Sequence, residues 1–171
     1  MDEPEAEFEL RDGTRVFVRG VAPGDKPLFL EAMRTASAET LRRRFGTSRP
    51  LSEREIESLT IVDGANRYAV GDVERAASGH ETPAGVARYV RIPDRAGVAE
   101  VAVAVGDRYQ GQGLGSHLVR LVIDVARAQG IRRLEFHVFP DNTLMQRLIA
   151  DLEGNVRERR DGPMRVYTLE L

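Results

Sequence analysis

The feature that most constrains this chain is a change of period between Val98 and Leu118, where it reads VAEVAVAVGDRYQGQGLGSHL. Val98–Val105 alternates as a half-buried strand does, with Val101, Val103 and Val105 on one side and Glu100, Ala102 and Ala104 on the other. After the turn, Leu114, Leu118, Val122 and Val125 recur at helical spacing, Ala126 fills the same stripe, and Gly130 ends the run. Between strand and helix, Gly111, Gly113 and Gly115 alternate, so three positions two apart lack a Cβ. Such a turn aims several backbone N–H groups into one concavity at a helix N-terminus, where the dipole favours an anion; a diphosphate suits it. Two common phosphate loops do not fit. Gly106 and Gly111 have the P-loop spacing, but Gln112 stands where the lysine belongs. The dinucleotide fingerprint, started at Gly111 or at Gly113, finds no glycine at its last position.

Composition narrows the chemistry further. A chain of 171 residues can bury a core without staples, and with no cysteine it must. The absence of Cys excludes a disulfide framework, a thiolate zinc site and a cysteine nucleophile. His80, His117 and His137 share no ligand spacing, so no metal is expected. Basic and acidic residues, 25 against 27, leave a net charge of −2 and no field for binding nucleic acid. All the cations but Lys26 are Arg, a residue suited to phosphate. No apolar run is long enough to span a membrane and the first residues are acidic, which predicts a cytoplasmic protein with no membrane partner.

Residues 1–9 carry five carboxylates and a proline and read as a flexible acidic tail, leaving 10–171 as one domain. A turn at Asp12-Gly13 leads into a strand to Arg19. Helical signals follow after Pro23, over Ser37–Phe45, and after the capping box of Ser52 and Glu55. Arg67–Val73, Ala84–Ile92 and Val98–Val105 read as strands, with Glu74–Pro83 a polar loop. Beyond the glycine-rich helix come a strand at Leu134–Val138, a helix at Asn142–Asp151 and a last strand at Arg165–Leu171.

Gln110-Gly111-Gln112-Gly113-Leu114-Gly115, a Gln-x-x-Gly-x-Gly run between strand and helix, resembles the acetyl-CoA diphosphate loop of the GNAT superfamily of N-acetyltransferases. Phe139-Pro140-Asp141-Asn142, again between a strand and a helix, is similar to that family's asparagine block. LRDGTRVFVR, ETLRRRF and AGVARYVRIPD extend the likeness to bacterial Pat-type protein-lysine acetyltransferases, from about Leu10 to Val156. The resemblance implies an α/β (α+β) fold with a central mixed, mostly antiparallel sheet of six to seven strands and about four helices. That sheet would be splayed between its fourth and fifth strands. It also implies acetyl-CoA as cosubstrate and an amine acceptor, here a protein lysine. A small amine acceptor, or a CoA-binding sensor without turnover, are the alternatives.

Residue roles follow from the same resemblance. Gln110, Gly111, Gln112, Gly113, Leu114, Gly115 and Ser116 would hold the diphosphate, Val103, Ala104 and Val105 would pair by backbone with the pantetheine arm, and Asn142 would orient that arm while also capping its helix. Glu100 falls where Pat-type enzymes carry their catalytic glutamate. It is the only charge on its strand, on a face otherwise lined by alanines, an apolar setting for a general base. Arg108 and Arg147 flank the two ligand loops as phosphate candidates. Arg42, Arg43 and Arg44 read as a solvated helix face, and of Arg88 and Tyr89 one is expected outward and the other packed. Where many family members have a tyrosine to protonate the departing thiolate, this chain has Ile149, so the resemblance supplies no general acid.

Overall fold

A computed structural model describes residues 6–171. In chain order the strands are β1 (Ala6–Glu9), β2 (Arg15–Gly20), β3 (Arg67–Arg75), β4 (Glu81–Arg91), β5 (Val98–Val105), β6 (Arg133–Val138), β7 (Val156–Asp161) and β8 (Met164–Glu170). The α-helices are α1 (Lys26–Thr35), α2 (Ala38–Phe45), α3 (Glu53–Thr60), α4 (Leu114–Ala128) and α5 (Thr143–Ala150). The strands form one open sheet in the order β1-β2-β3-β4-β5-β6-β8-β7. All neighbours are antiparallel except β5 and β6, which the crossover through α4 makes parallel. The mixed, mostly antiparallel sheet is the one expected, with eight strands and five helices rather than six to seven and four.

One extra strand comes from the segment read as a tail. Ala6–Glu9 pairs with β2, and residues 1–5 of that reading lie outside the described residues. The composition hid the strand because its carboxylates sit on the exposed edge, where Arg15 lies 3.3 Å from Glu7. Phe8 meanwhile turns inward, opposite Val16, and stacks on His117 of α4 with ring centroids 3.9 Å apart. That aromatic contact anchors an otherwise acidic segment. The second extra strand, β7, is a charged edge that pairs only with β8. The polar loop shrinks too: β3 runs on to Arg75 and β4 starts at Glu81, leaving a short hairpin.

The two faces of the sheet have different jobs. Ala99 and Val101 of β5, with Ala87 and Tyr89 of β4 and Phe136 of β6, face the buried side of α4, where Leu114, Leu118, Val119, Val122, Ile123 and Ala126 are inaccessible. Each large side chain buried there stabilises the fold by about 1.5–3 kcal/mol before entropy is counted, which fixes α4 against the sheet. Glu100, Ala102 and Ala104 point to the opposite face, covered in part by α1, α2 and α3.

The register between β5 and β6 stops early. Pairing runs from Val98 with Arg133 to Val101 with Phe136, and Ala102–Val105 pair only with β4. The sheet therefore splits where β5 approaches the glycine-rich turn, as the resemblance implied for its fourth and fifth strands.

Candidate active site

The turn after β5 is held from several sides. Asp107 accepts from the Ser37 backbone N–H at 2.8 Å and from the Thr40 hydroxyl at 2.7 Å, tying the first turn of α2 to the loop. Burial would raise the Asp107 carboxyl, but the bonds from Thr40 and Ser37 outweigh it and hold the group below its ordinary value. Gln110 donates to the Val105 carbonyl at 3.1 Å and to the Thr40 hydroxyl at 3.2 Å. Its side chain thus braces the loop from inside.

Gly111 and Gly113 adopt φ of +71° and +93°, the left-handed region that residues with a Cβ rarely occupy, and open space lies where each Cβ would project. Gly115 serves differently. A Cβ there would come 3.1 Å from Leu148 of α5, so this glycine lets two helices approach closely. Gly113 is the N-cap of α4 and no side chain caps the helix, leaving the amides of the first turn without an intrahelical or capping partner. They border a cavity of about 320 Å3 whose lining includes Gly111, Gly113, Gly115 and Ser116 on one side and Asn142 and Arg147 on the other. An uncapped helix N-terminus opening on space is suited to an anion, so the residues present fit a diphosphate-bearing cosubstrate.

Other expected residues divide. Val103, Ala104 and Val105 line this cavity along the unpaired end of β5, although the Val105 carbonyl already accepts from Gln110. The Asn142 side chain caps α5, accepting from the Met145 N–H at 3.2 Å, and also lines the cavity. Leu114 is buried in the core, so only its backbone can serve a ligand. The Gln112 carbonyl accepts from the Arg11 N–H at 3.2 Å, and Gln112 is not in the cavity lining. Arg108 departs from expectation. It is held by Glu74 at 3.2 Å and stacks over Tyr109, outside the cavity lining. The cations that do line the cavity are Arg147, Arg43, Arg44 and Arg11. Arg11, whose Nη1 lies 3.4 Å from the Gly111 carbonyl, sits too far away in sequence for motif reading to find.

A second, largely apolar cavity of about 100 Å3 lies between α1, α2 and the sheet face opposite α4. The two cavities share Thr40, Arg44, Ala104 and Val105, so they meet where β5 splits from β6. The arginine run of α2 is therefore not a uniform solvated face. Arg42 pairs with Asp141, Arg43 reaches Glu39, and Arg44 turns in to the junction. Nor is Arg88 outward: it is 8% exposed and lines the second cavity, while Tyr89 packs in the core.

Glu100 is exposed on that same face, opposite Val90 on one side and Glu135 on the other. The apolar setting expected for it is thus only partial. The two neighbouring carboxylates are easily told apart. Glu135 is buried and takes two bonds from Arg95, at 3.0 and 2.7 Å, which with other nearby cations holds it below its ordinary value. Glu100 pairs with no cation among the described residues. Ile149, in place of the family's tyrosine, is buried in the core. Among the described residues no group of three His, Asp or Glu side chains could hold a metal ion, and no helix is long and apolar enough to cross a membrane.

Residues 30–152 match the acetyltransferase (GNAT) family. The chain belongs to that family. GNAT enzymes are N-acetyltransferases that draw on acetyl-CoA. Acetyltransferase Pat of Mycolicibacterium smegmatis is 37% identical over 90% of this chain, which spans 45% of that protein. L-2,4-diaminobutyric acid acetyltransferase of Streptomyces coelicolor is 47% identical over 42% of this chain and 44% of its own length. The chain thus spans less than half the length of either relative. Among solved structures, the GNAT domain of S. lividans PAT superposes with a TM-score of 0.86 at 28% identity, covering 99% of this chain and 100% of that one.

Proposed function

We propose that residues 6–171, one strand more than the 10–171 read from the sequence, form one GNAT domain that transfers acetyl from acetyl-CoA directly to a primary amine, the side chain of a protein lysine, with Glu100 as general base. The observation that carries this reading is the meeting of two cavities at the split end of β5, one with an uncapped helix N-terminus; Glu100 lines neither, but lies on the same strand and close enough to Arg44, at their junction, to act on its charge. The first-turn amides of α4, with the backbone of Gly111, Gly113 and Ser116, would hold the diphosphate, and Arg147 and Arg43 would add charge. The unpaired edge of Val103–Val105 would hold the pantetheine arm as a missing strand, with Asn142 across from it. Bound there, the cosubstrate supplies an activated acetyl group.

This chain then has to bring up the amine and remove its proton. A lysine amine with pKa about 10.4 is almost wholly protonated at neutral pH, so a base that accepts the proton, directly or through water, contributes about 10²–10⁴-fold. Glu100 suits that role because it forms no hydrogen bond or ion pair among the described residues and feels Arg44 only at longer range, whereas Glu135 beside it is tied to Arg95. Glu100 first takes a proton from the ammonium, directly or through water; the neutral nitrogen then bonds the acetyl carbon, the carbon–sulfur bond breaks, and the thiolate leaves and is protonated by the second proton that the nitrogen gives up to water. A thiol of pKa about 8.5 leaves without a dedicated acid, so the buried Ile149 is no obstacle.

Pat similarity favours a protein lysine; the apolar walls of the second cavity and the diaminobutyric acid enzyme favour a small amine as the second reading. Thiol release from acetyl-CoA, measured with candidate proteins and then with small amines, separates them. Glu100→Gln should keep CoA binding and lower turnover by about 10²-fold or more. Unchanged turnover would remove Glu100 from the mechanism.

A further inference from the structure

Several arginines of this fold are answered by carboxylates. Arg19 is bonded to Asp25 and lies near Glu81, Arg95 holds Glu135, Arg108 meets Glu74, and Arg42 pairs with Asp141. Of the three arginines that line the second cavity, Arg19 has such a partner, whereas Arg44 and Arg88 have none among the described residues. Arg88, on β4 opposite Ala102, is 8% exposed, and its only side-chain hydrogen bond among the described residues runs from Nη1 to the Leu59 carbonyl at 3.2 Å. Arg44, at the last turn of α2, lies over the Phe45 ring at 4.6 Å and has no hydrogen bond or ion pair among the described residues.

Two guanidiniums facing one largely apolar cavity with no anion paired to either are costly, since each carries five donors and a charge that water no longer solvates. Burial pushes Arg44 down to about 10, the charge of Arg88 pushes it the same way, and Glu100 pulls it back. These three groups therefore feel one another. The rest of the wall is mostly apolar, with Leu28, Phe29 and Met33; of its two carboxylates, Asp25 is bonded to Arg19 and Asp72 makes no hydrogen bond or ion pair with either guanidinium among the described residues. Arg44 also borders the donor cavity, so the unanswered charge stands at the junction where an acceptor amine would arrive.

We infer that Arg44 and Arg88 form a carboxylate-binding site for the acceptor, so that the amine this chain acetylates carries a carboxylate near its nitrogen. The inference rests on the acetyl-transfer reading and deepens it. A bare amine arriving at this junction meets two positive charges, whereas a carboxylate on the acceptor neutralises them and fixes the amine between Glu100 and the donor. The carboxylate belongs either to an acidic residue beside an acceptor lysine or to a free diamino acid; the chemistry is shared, and the guanidinium geometry suits a bidentate grip in both.

The test uses two acceptor pairs: a lysine peptide with Glu or Gln beside the lysine, and a free diamino acid with its carboxamide. Binding to the CoA-loaded protein is measured by calorimetry and acetyl transfer by thiol release. The carboxylate member of at least one pair should bind about 10-fold or more tightly than its amide, and show the same preference in KM. The pair that shows it identifies the source. Arg44→Gln should bring the preference close to one, Arg44→Lys should keep part of it, and Arg88→Gln should repeat the loss if it folds. Equal binding within both pairs, no binding by any acceptor, or a preference that survives Arg44→Gln would overturn the inference. Transfer without preference would leave the acetyltransferase reading standing, and preference without transfer would keep the carboxylate site while removing that reading.

Discussion

Asp72 lies on β3 with 1% of its surface exposed, and neither carboxylate oxygen meets a donor among the described residues. Desolvation alone raises its pKa to about 7. The folded state therefore holds a proton that the unfolded chain releases near the ordinary carboxylate value, so stability is fullest below about pH 4, falls as pH rises toward about 7, and levels off above. Asp72→Asn removes that dependence. Its Tm should match the parent near about pH 4 and exceed it by about 5 °C or more at about pH 8, read by scanning calorimetry. A constant difference across that range would show that Asp72 stays charged in the fold. Residues of this kind are where sequence reading reaches its limit. The left-handed Gly111 and Gly113 were legible because only a missing Cβ tolerates their backbone, and that demand is local. The inward turns of Arg44 and Arg88 depend on what α1 and α2 pack against, and the contact of Arg108 with Glu74 of β3 joins segments that are far apart in sequence.

Among the elements, α4 announced itself because its stripe, its glycine stop and its glycine start all lie within one segment. β1 did not, because one inward Phe8 stacked on His117 outweighs the acidic composition around it. α2 owes its place to the link from Ser37 and Thr40 to Asp107. Asp107 is held below its ordinary pKa, so this link contributes stability above the usual carboxylate range and loses it as pH falls through the folded value. Asp107→Ala should cost about 1 kcal/mol, or about 2–4 °C in Tm, and weaken CoA binding, because the same carboxylate sets the loop that leads into α4. Unaltered CoA affinity would show that the loop keeps its shape without α2.

On the scale of the whole molecule, one sheet does two things. Its α4 face is a close-packed core, and its opposite face is left open enough for cavities to reach β5. The parallel pairing of β5 with β6 lasts only to Val101, and that early stop joins the two cavities. The resemblance carried by the glycine-rich run implied the split sheet. The seating of α1 and α2 over it was not foretold, because their contacts cross long stretches of chain.

The account depends on the first turn of α4 gripping a diphosphate. Gly113→Val puts a β-branched side chain at a φ of +93°, where it is strained and projects into the open corner. It should abolish the thermal shift that CoA gives the parent. The most direct measurement is calorimetric titration with CoA and with pantetheine, which has the same arm but no diphosphate. Binding of CoA at least about 100-fold tighter than pantetheine, with the difference lost in Gly113→Val, is the predicted result. Equal affinities for the two, or a Gly113→Val protein that still tells them apart, would contradict it.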